Sequence, residues 1–452
     1  MTELKFNFQK TVGKIKPMHA VGQPPLKGLD SELFKYLTEA NVPYSRLHDV
    51  GGWFGKNMFV DIPNIFRDFD KDETDPENYD FTFTDILITE LIKYKCEPYF
   101  RLGVTIENFH EIKKYRCLPP KDNKKWARIC EHIIRHYNEG WADGFHYNIK
   151  YWEIWNEPDS NHAGNGGNGC WAGTSEEFFD LYRVTSKHLR ECFGDTIKIC
   201  GYGHCGFYAV VDDKLTGAMA MGSSVGLNKW EIMKIGFIDF FEKFVKMVKD
   251  ENLPFDFFSH HSYSTAGPTL KMHKYAEDYL ESQGLPDVEI HLNEWNPNPT
   301  LEQRGTSLAS ANVAAMMSAM QDTKMQVMCY YDAQISQSVY GGLFNPMTHK
   351  PLCTYYSIKA FGNLYAMGNQ VEVVGAPDGT DEGVYVTAAT GNGLCGAILT
   401  NIGEDEEIVT NLGENTAVYL IDQDNFMTPC DINPGKFTCQ KNKTYYFEFK
   451  KD

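Results

Sequence analysis

The sequence predicts an α/β chain, a (β/α)8 TIM barrel with an accessory C-terminal β-sandwich, and three observations carry that expectation. Apolar strand-like runs alternate with helical patterns eight times between residues 14 and 366. Two of the runs, YWEIWNEPD and EIHLNEWNP, carry a glutamate to the point where a proline stops the strand ladder. Beyond residue 368 the rhythm changes to short alternating strands between Gly, Asn and Asp turns, as in GVYVTAATGNGLCGAILTNIG and KTYYFEF.

The elements follow in chain order. An edge segment near residues 4–8 joins the sandwich, so the expected division is 1–13 for that segment, 14–367 for the barrel and 368–452 for the sandwich. The first strand is read at 14–21, with a helix at 31–40 opened by Asp30 as its cap. PYSRLH, at 43–48, is the second strand. A long acidic loop over 49–79 leads to a helix at 84–94, then the strand EPYFRLG at 97–103 and a helix at 123–138. The fourth strand is YWEIWNEPD itself, followed by a helix at 175–193. The second half repeats the pattern: strand 197–203, a Gly- and Met-rich loop over 203–228 and helix 229–250; strand 254–261 and helix 271–283. Strand 288–294 then precedes helix 306–323, and strand 326–331 precedes helix 352–366.

Composition narrows the function classes. The chain has 452 residues, 42% hydrophobic and 14% aromatic, enough for a large core with a second, smaller domain. Its formal charge of -18, from 61 acids against 43 bases, argues against a phosphate-backbone partner and favours a neutral substrate. No nucleic acid and no membrane is expected: no stretch approaches the roughly 20 apolar residues of a span. The N-terminus shows no basic segment before an apolar run, so the expected location is cytoplasmic. The twelve cysteines contain no CxxC pair and are read as reduced and mostly buried. Cys200, His204 and Cys205 are read as packing rather than as metal ligands, and no cofactor or metal is expected.

A glutamate at a strand exit is well placed for chemistry, because such barrels carry their sites at the C-terminal strand ends. Either Glu157 or Glu294 alone could equally be a buried ion pair or a helix cap. Both at strand exits, each behind an asparagine, favour catalysis.

These motifs, with RLH on strand two, HHSY on strand six and GLFNP…KPLCTYYSIKAFGNL leading into the sandwich, resemble the retaining glycoside hydrolases of the large barrel clan, and family 39 in particular. The resemblance covers nearly the whole chain. It implies Glu157 as general acid/base and Glu294 as nucleophile, roughly 5–5.5 Å apart. It implies Asn156 at the sugar 2-hydroxyl, Tyr263 orienting the nucleophile and His261 shaping the sugar site, with His260 turned away by strand alternation. Arg46 is placed to keep Glu294 ionised and His48 to reach a hydroxyl. Glu153, deeper on strand four, is read as a structural ion pair with Arg101, and Asn293 as turn support. Trp171 is read as a pocket wall, with Trp53 and Phe54 as further walls. Trp155 is read as scaffold, and Trp295 as a sugar platform beside its glutamate. The chain departs from the family pattern at strand eight, MCYYDAQ, where Tyr331 or Asp332 stands in place of a common tryptophan and Asp332 is expected to bind hydroxyls.

The expected activity is that of a retaining exo-glycosidase on neutral pentose-containing oligosaccharides of β-xyloside or α-L-arabinofuranoside type. Long loops at 160–174 and 203–228 suggest a closed pocket. The alternatives are a non-hydrolytic glycan-binding barrel and a clan member acting on a β-glucoside, β-galactoside or iduronide. The expected partner is the oligosaccharide, and the sequence leaves a homo-oligomer open.

Overall fold

The computed structural model describes residues 1–27, 30–48, 50, 60–104, 117–161, 170–297, 299–335, 339–377, 379 and 383–451. After β1 (Thr2–Lys14) come the barrel strands β2 (Ala20–Gly22), β3 (Tyr44–Leu47), β4 (Glu97–Leu102), β5 (Tyr151–Ile154), β6 (Lys198–His204), β7 (Phe257–Ser262), β8 (Glu289–Trp295) and β9 (Met325–Tyr330). Each pairs in parallel with the next, and β9 pairs with β2, which closes the barrel.

The described helices are α1 (Lys35–Glu39), α2 (Ile62–Ile65), α3 (Thr82–Lys93), α4 (Asn123–Asn138), α5 (Ser175–Phe193), α6 (Asp213–Met221), α7 (Lys229–Glu251), α8 (Ala266–Ser282), α9 (Ser307–Gln321) and α10 (Cys353–Met367). Their starts are set by side chains that satisfy otherwise unpaired N–H groups. Asp122 accepts from Lys124 and Lys125 at the start of α4, and Thr174 with Glu177 forms a reciprocal capping box on α5. Asn228 with Glu231 does the same on α7.

Three sequence expectations change. The edge segment runs through Lys14, because residues up to Lys14 pair with β10 (Asn369–Val374); the first barrel strand is therefore only Ala20–Gly22. The helix expected at 31–40 splits into a 3-10 turn, Glu32–Phe34, and the short α1, with Asp30 accepting from the Glu32 N–H at 2.8 Å. The Gly- and Met-rich stretch expected as a loop contains α6, capped by Asp212 and ended by Gly222 in the left-handed region.

Beyond the barrel, β10 is followed by β11 (Val384–Gly391), β12 (Leu394–Asn401), β13 (Glu406–Thr410), β14 (Ala417–Ile421), β15 (Phe426–Pro429), β16 (Lys436–Cys439) and β17 (Lys443–Lys450). With β1 they form a mostly antiparallel nine-stranded sheet, a β-sandwich around Leu4, Phe6, Leu399, Ile408, Phe437 and Phe447. A separate continuous core lies between barrel and helices. No described helix is long and apolar enough to cross a membrane.

Candidate active site

Glu157 leaves β5 through an irregular backbone. Trp155 (φ 73°) and Glu157 (φ 45°) are both left-handed, a conformation costing on the order of 1–3 kcal/mol for a residue with a side chain. Hydrogen bonds from Trp155 N to Leu102 O and from Glu157 N to Gly203 O, both 2.7 Å, hold the turn. The strand's two-residue alternation therefore fails. Trp155 packs outward on Trp126 and Trp171, while Glu157 turns to the barrel mouth.

Glu294 arrives by a second irregularity. The β7–β8 register shifts between His260 and His261, so His261 lies opposite Glu294. Asn293 and Glu294, neighbours that a regular strand would send to opposite faces, both reach the interior: Asn293 Nδ2 donates to Glu153 Oε1 at 2.6 Å. Asn293 is thus part of the buried polar network and not turn support.

Arg46 joins these groups. Its Nε and Nη2 meet Glu153 Oε2 at 2.9 and 2.7 Å, its Nη1 meets Glu294 Oε2 at 3.0 Å, and Nη2 donates to Asn156 Oδ1 at 2.6 Å. Burial opposes its charge, but Glu153 and Glu294 more than offset that and raise its pKa. The expected Glu153–Arg101 pair is corrected: Arg101 pairs with Asp61 at 3.0 Å, both fully buried, one strand further round. Tyr263 donates its hydroxyl to Glu294 Oε1. His261 Nδ1 lies 2.7 Å from Glu157 Oε1, and the Cys170 thiol donates to Glu157 Oε2 at 3.6 Å. Gly203 makes room for this: a Cβ there would stand 2.9 Å from Asn156 Oδ1, 2.9 Å from His261 Nε2 and 3.0 Å from Arg46 Nη2.

Ligand-capable atoms of Glu157, His261 and Glu294 all lie within 4.8 Å of one another. A compact His/carboxylate group is therefore present at the strand ends. Arg46 already supplies a positive charge to Glu294 there. Two buried carboxylates this close titrate as a pair. Burial and the facing Glu157 charge raise Glu294, with His261, Arg46 and Tyr263 opposing. Burial also pushes Glu157 up, but the hydrogen bond and charge of His261, with Cys170 and Arg46, hold it below the ordinary value. His261 is raised: its burial is outweighed by Glu294 and Glu157. His261, read as a sugar contact, thus holds Glu157, the implied general acid, toward its ionised form.

The remaining residues are placed as follows. Asn156 and His48 are buried beside Arg46 and at the end of β3, and His48 is kept neutral by burial and by Arg46 and Arg101. Trp171 is corrected from pocket wall to packing: it is 1% exposed, donates Nε1–H to Thr174 O and sits between Trp155 and Phe178. Asp332 is 1% exposed, and its carboxylate accepts from Gln334 N at 3.1 Å, so it shapes the turn after β9 instead of presenting itself to hydroxyls. Trp295, expected as a platform, is fully buried against Tyr330. His260 packs on Phe258, and His204 pairs with Asp159 at 2.7 Å. Trp53, Phe54 and most of the 160–174 loop lie outside the described residues. Sequence reasoning gave Cys170 no role, and its position directly after a Gly/Asn run offered no signal.

The family model described as glycosyl hydrolases family 39 matches residues 2–339. A β-xylosidase of Geobacillus stearothermophilus is 22% identical over 293 residues, 58% of this chain and 50% of that protein. A β-xylosidase of Caldicellulosiruptor saccharolyticus is 26% identical over 206 residues, 42% of this chain and 38% of that protein. The chain thus matches half or less of the length of these curated relatives. Among solved structures, a glucosidase from Croceicoccus marinus superposes with a TM-score of 0.76 at 16% identity, over 100% of this chain and 99% of its own. A family 39 β-xylosidase from Caulobacter crescentus gives 0.67 at 14% identity, over 100% of both chains. At such identities the likeness is one of fold.

Proposed function

The chain belongs to glycosyl hydrolase family 39, and from that premise we propose that it is a retaining exo-glycosidase acting on β-xylosides or α-L-arabinofuranosides. One observation carries the mechanism: carboxylate oxygens of Glu157 and Glu294 lie within 4.8 Å of each other. Retention needs carboxyl groups roughly 5–5.5 Å apart, whereas inversion needs about 6.5–9.5 Å to admit a water.

Glu294 attacks the anomeric carbon, the glycosidic C–O bond breaks, and the leaving oxygen takes a proton from Glu157. Water, deprotonated by Glu157, then attacks the same carbon and breaks the ester bond to Glu294. The proton has two seats, His261 Nδ1 and Glu157 Oε1, 2.7 Å apart. His261 holds it in the free site and returns it to Glu157 as the leaving oxygen develops charge. Arg46 and Tyr263 keep donors on Glu294 so that the carboxylate is aimed and not protonated by solvent. Asn156, held by Arg46, faces the sugar 2-hydroxyl.

The pentose reading is supported by the two β-xylosidase relatives. It is supported further by charge: Arg46, the cation that touches Glu294, is committed to Glu153 and Glu294, which disfavours a uronate. A panel of nitrophenyl glycosides with Glu294→Ala and Glu157→Ala tests the assignment. We expect Glu294→Ala to abolish turnover and Glu157→Ala to slow it, with azide rescue of the latter; unchanged rates in both would refute it.

A further inference from the structure

We infer that Glu131, His188 and Cys192, on the outer face of the barrel, form a binding site for a thiophilic divalent cation such as Zn2+. His188 and Cys192 are one turn apart on α5 and share a face, and Glu131 meets them from α4, the helix packed alongside. His188 Nε2 lies 2.6 Å from Glu131 Oε2 and 3.7 Å from Cys192 Sγ. One ligand atom from each residue lies within 4.8 Å of the other two.

These separations suit a tetrahedron. Zinc bonds of about 2.0–2.3 Å to N, O and S imply ligand–ligand edges of roughly 3.3–3.6 Å. The sulfur–nitrogen edge already has that size, and the nitrogen–oxygen edge must open by about 0.7 Å, a rotamer adjustment for two half-buried side chains. Thiolate, imidazole and carboxylate form a mixed set that zinc accepts, with a fourth position left for water. Arg135 Nε donates to Glu131 Oε1 at 2.7 Å, which orients the carboxylate and leaves Oε2 toward His188.

An ordinary ion pair explains His188 with Glu131. It does not explain why a thiol is turned onto the same nitrogen, and ten of the other eleven cysteines are buried while this one is partly exposed. A bound cation would fasten α4 to α5, the helix that follows the strand bearing Glu157. It would take no part in glycoside chemistry.

The test uses the full chain, stripped by a chelator and titrated with Co2+ and then Zn2+. We expect a sulfur-to-cobalt charge-transfer band that saturates at a single equivalent and is displaced by Zn2+. Cys192→Ser should abolish the band, and His188→Ala should weaken binding by about tenfold or more. The band should survive Glu157→Gln with Glu294→Gln, which disables the other close set of ligands. Zn2+ should raise the melting temperature of the parent chain but not of Cys192→Ser. A parent chain without the band, or a band that persists in Cys192→Ser, overturns the site.

Discussion

At the N-terminal ends of the barrel strands, Tyr44, Tyr99, Tyr151, Phe257 and His291 pack into a layer of rings with neighbouring centroids 4.6 to 5.9 Å apart. At the C-terminal ends of the same strands, Arg46, Glu153, Asn156, Glu157, His261 and Glu294 form a buried network of charges. Around the foot's tyrosines the pairing is regular, Tyr44↔Glu97 through Leu47↔Phe100 and Tyr151↔Lys198 through Glu153↔Cys200, with one slip between β8 and β9 at Ile290 and His291. The head rests on register shifts after Cys200, His260 and Leu292 and on two left-handed residues. A regular ladder delivers one side chain in two to the interior; the irregular one delivers neighbours such as Asn293 and Glu294 together. The difference teaches that the ring layer sits where alternation mostly holds and the charged network where it is broken.

That division can be broken most severely at Arg46. Arg46→Leu leaves Glu153 and Glu294 buried without their cation, and should cost about 3–5 kcal/mol in urea unfolding as well as activity. A loss under about 1 kcal/mol would mean that the network is not held by that charge. At the foot, the fully buried Phe257 tests the other half: Phe257→Leu should cost about 1–3 kcal/mol while kcat/KM per folded molecule stays unchanged, and a fall in kcat/KM would show the two ends to be coupled.

Tyr263→Phe sharpens the contrast from the other side. It removes one hydrogen bond to a charged oxygen, about 1.5–3 kcal/mol, and so should lower kcat roughly 10- to 100-fold with little change in melting temperature. The smallest effect is a displacement of the pH profile. In the proposed mechanism the active form has Glu294 ionised and a proton on the Glu157–His261 pair. Glu294 is raised above 4.5, so the acid limb of kcat/KM lies above the ordinary carboxylate range; His261 is raised above 6.5, so activity is lost on the basic side only above that value. A rate profile whose acid limb falls below 4.5 would contradict this polarity.

Much of this was legible before any coordinates. The prolines after Glu157 and Glu294 mark where strands must end, and the 3.6-residue patterns of α4 and α5 located those helices to the residue. Asp212 and Gly222 also carried cap signals for α6, but Gly217 and the run of Met and Ala masked them. The partner of Glu153 was not legible. Arg46 and Arg101 sit on adjacent strands, and only the stagger of the closed barrel decides which one reaches it. Trp171 could not be told from a sugar platform, because an indole beside a glycine-rich loop reads the same whether its face meets solvent or Trp155.

The sequence by itself determined the fold class and the two acidic strand exits, because hydrophobic period, caps and proline stops act over a few neighbouring residues. Tertiary structure decided the rest: that His261 donates to Glu157, that Arg46 bridges Glu153 to Glu294, and that Asn293 turns inward with its neighbour. Those contacts join residues 104 to 248 positions apart. Their partners are chosen by register shifts and left-handed turns that no local periodicity encodes.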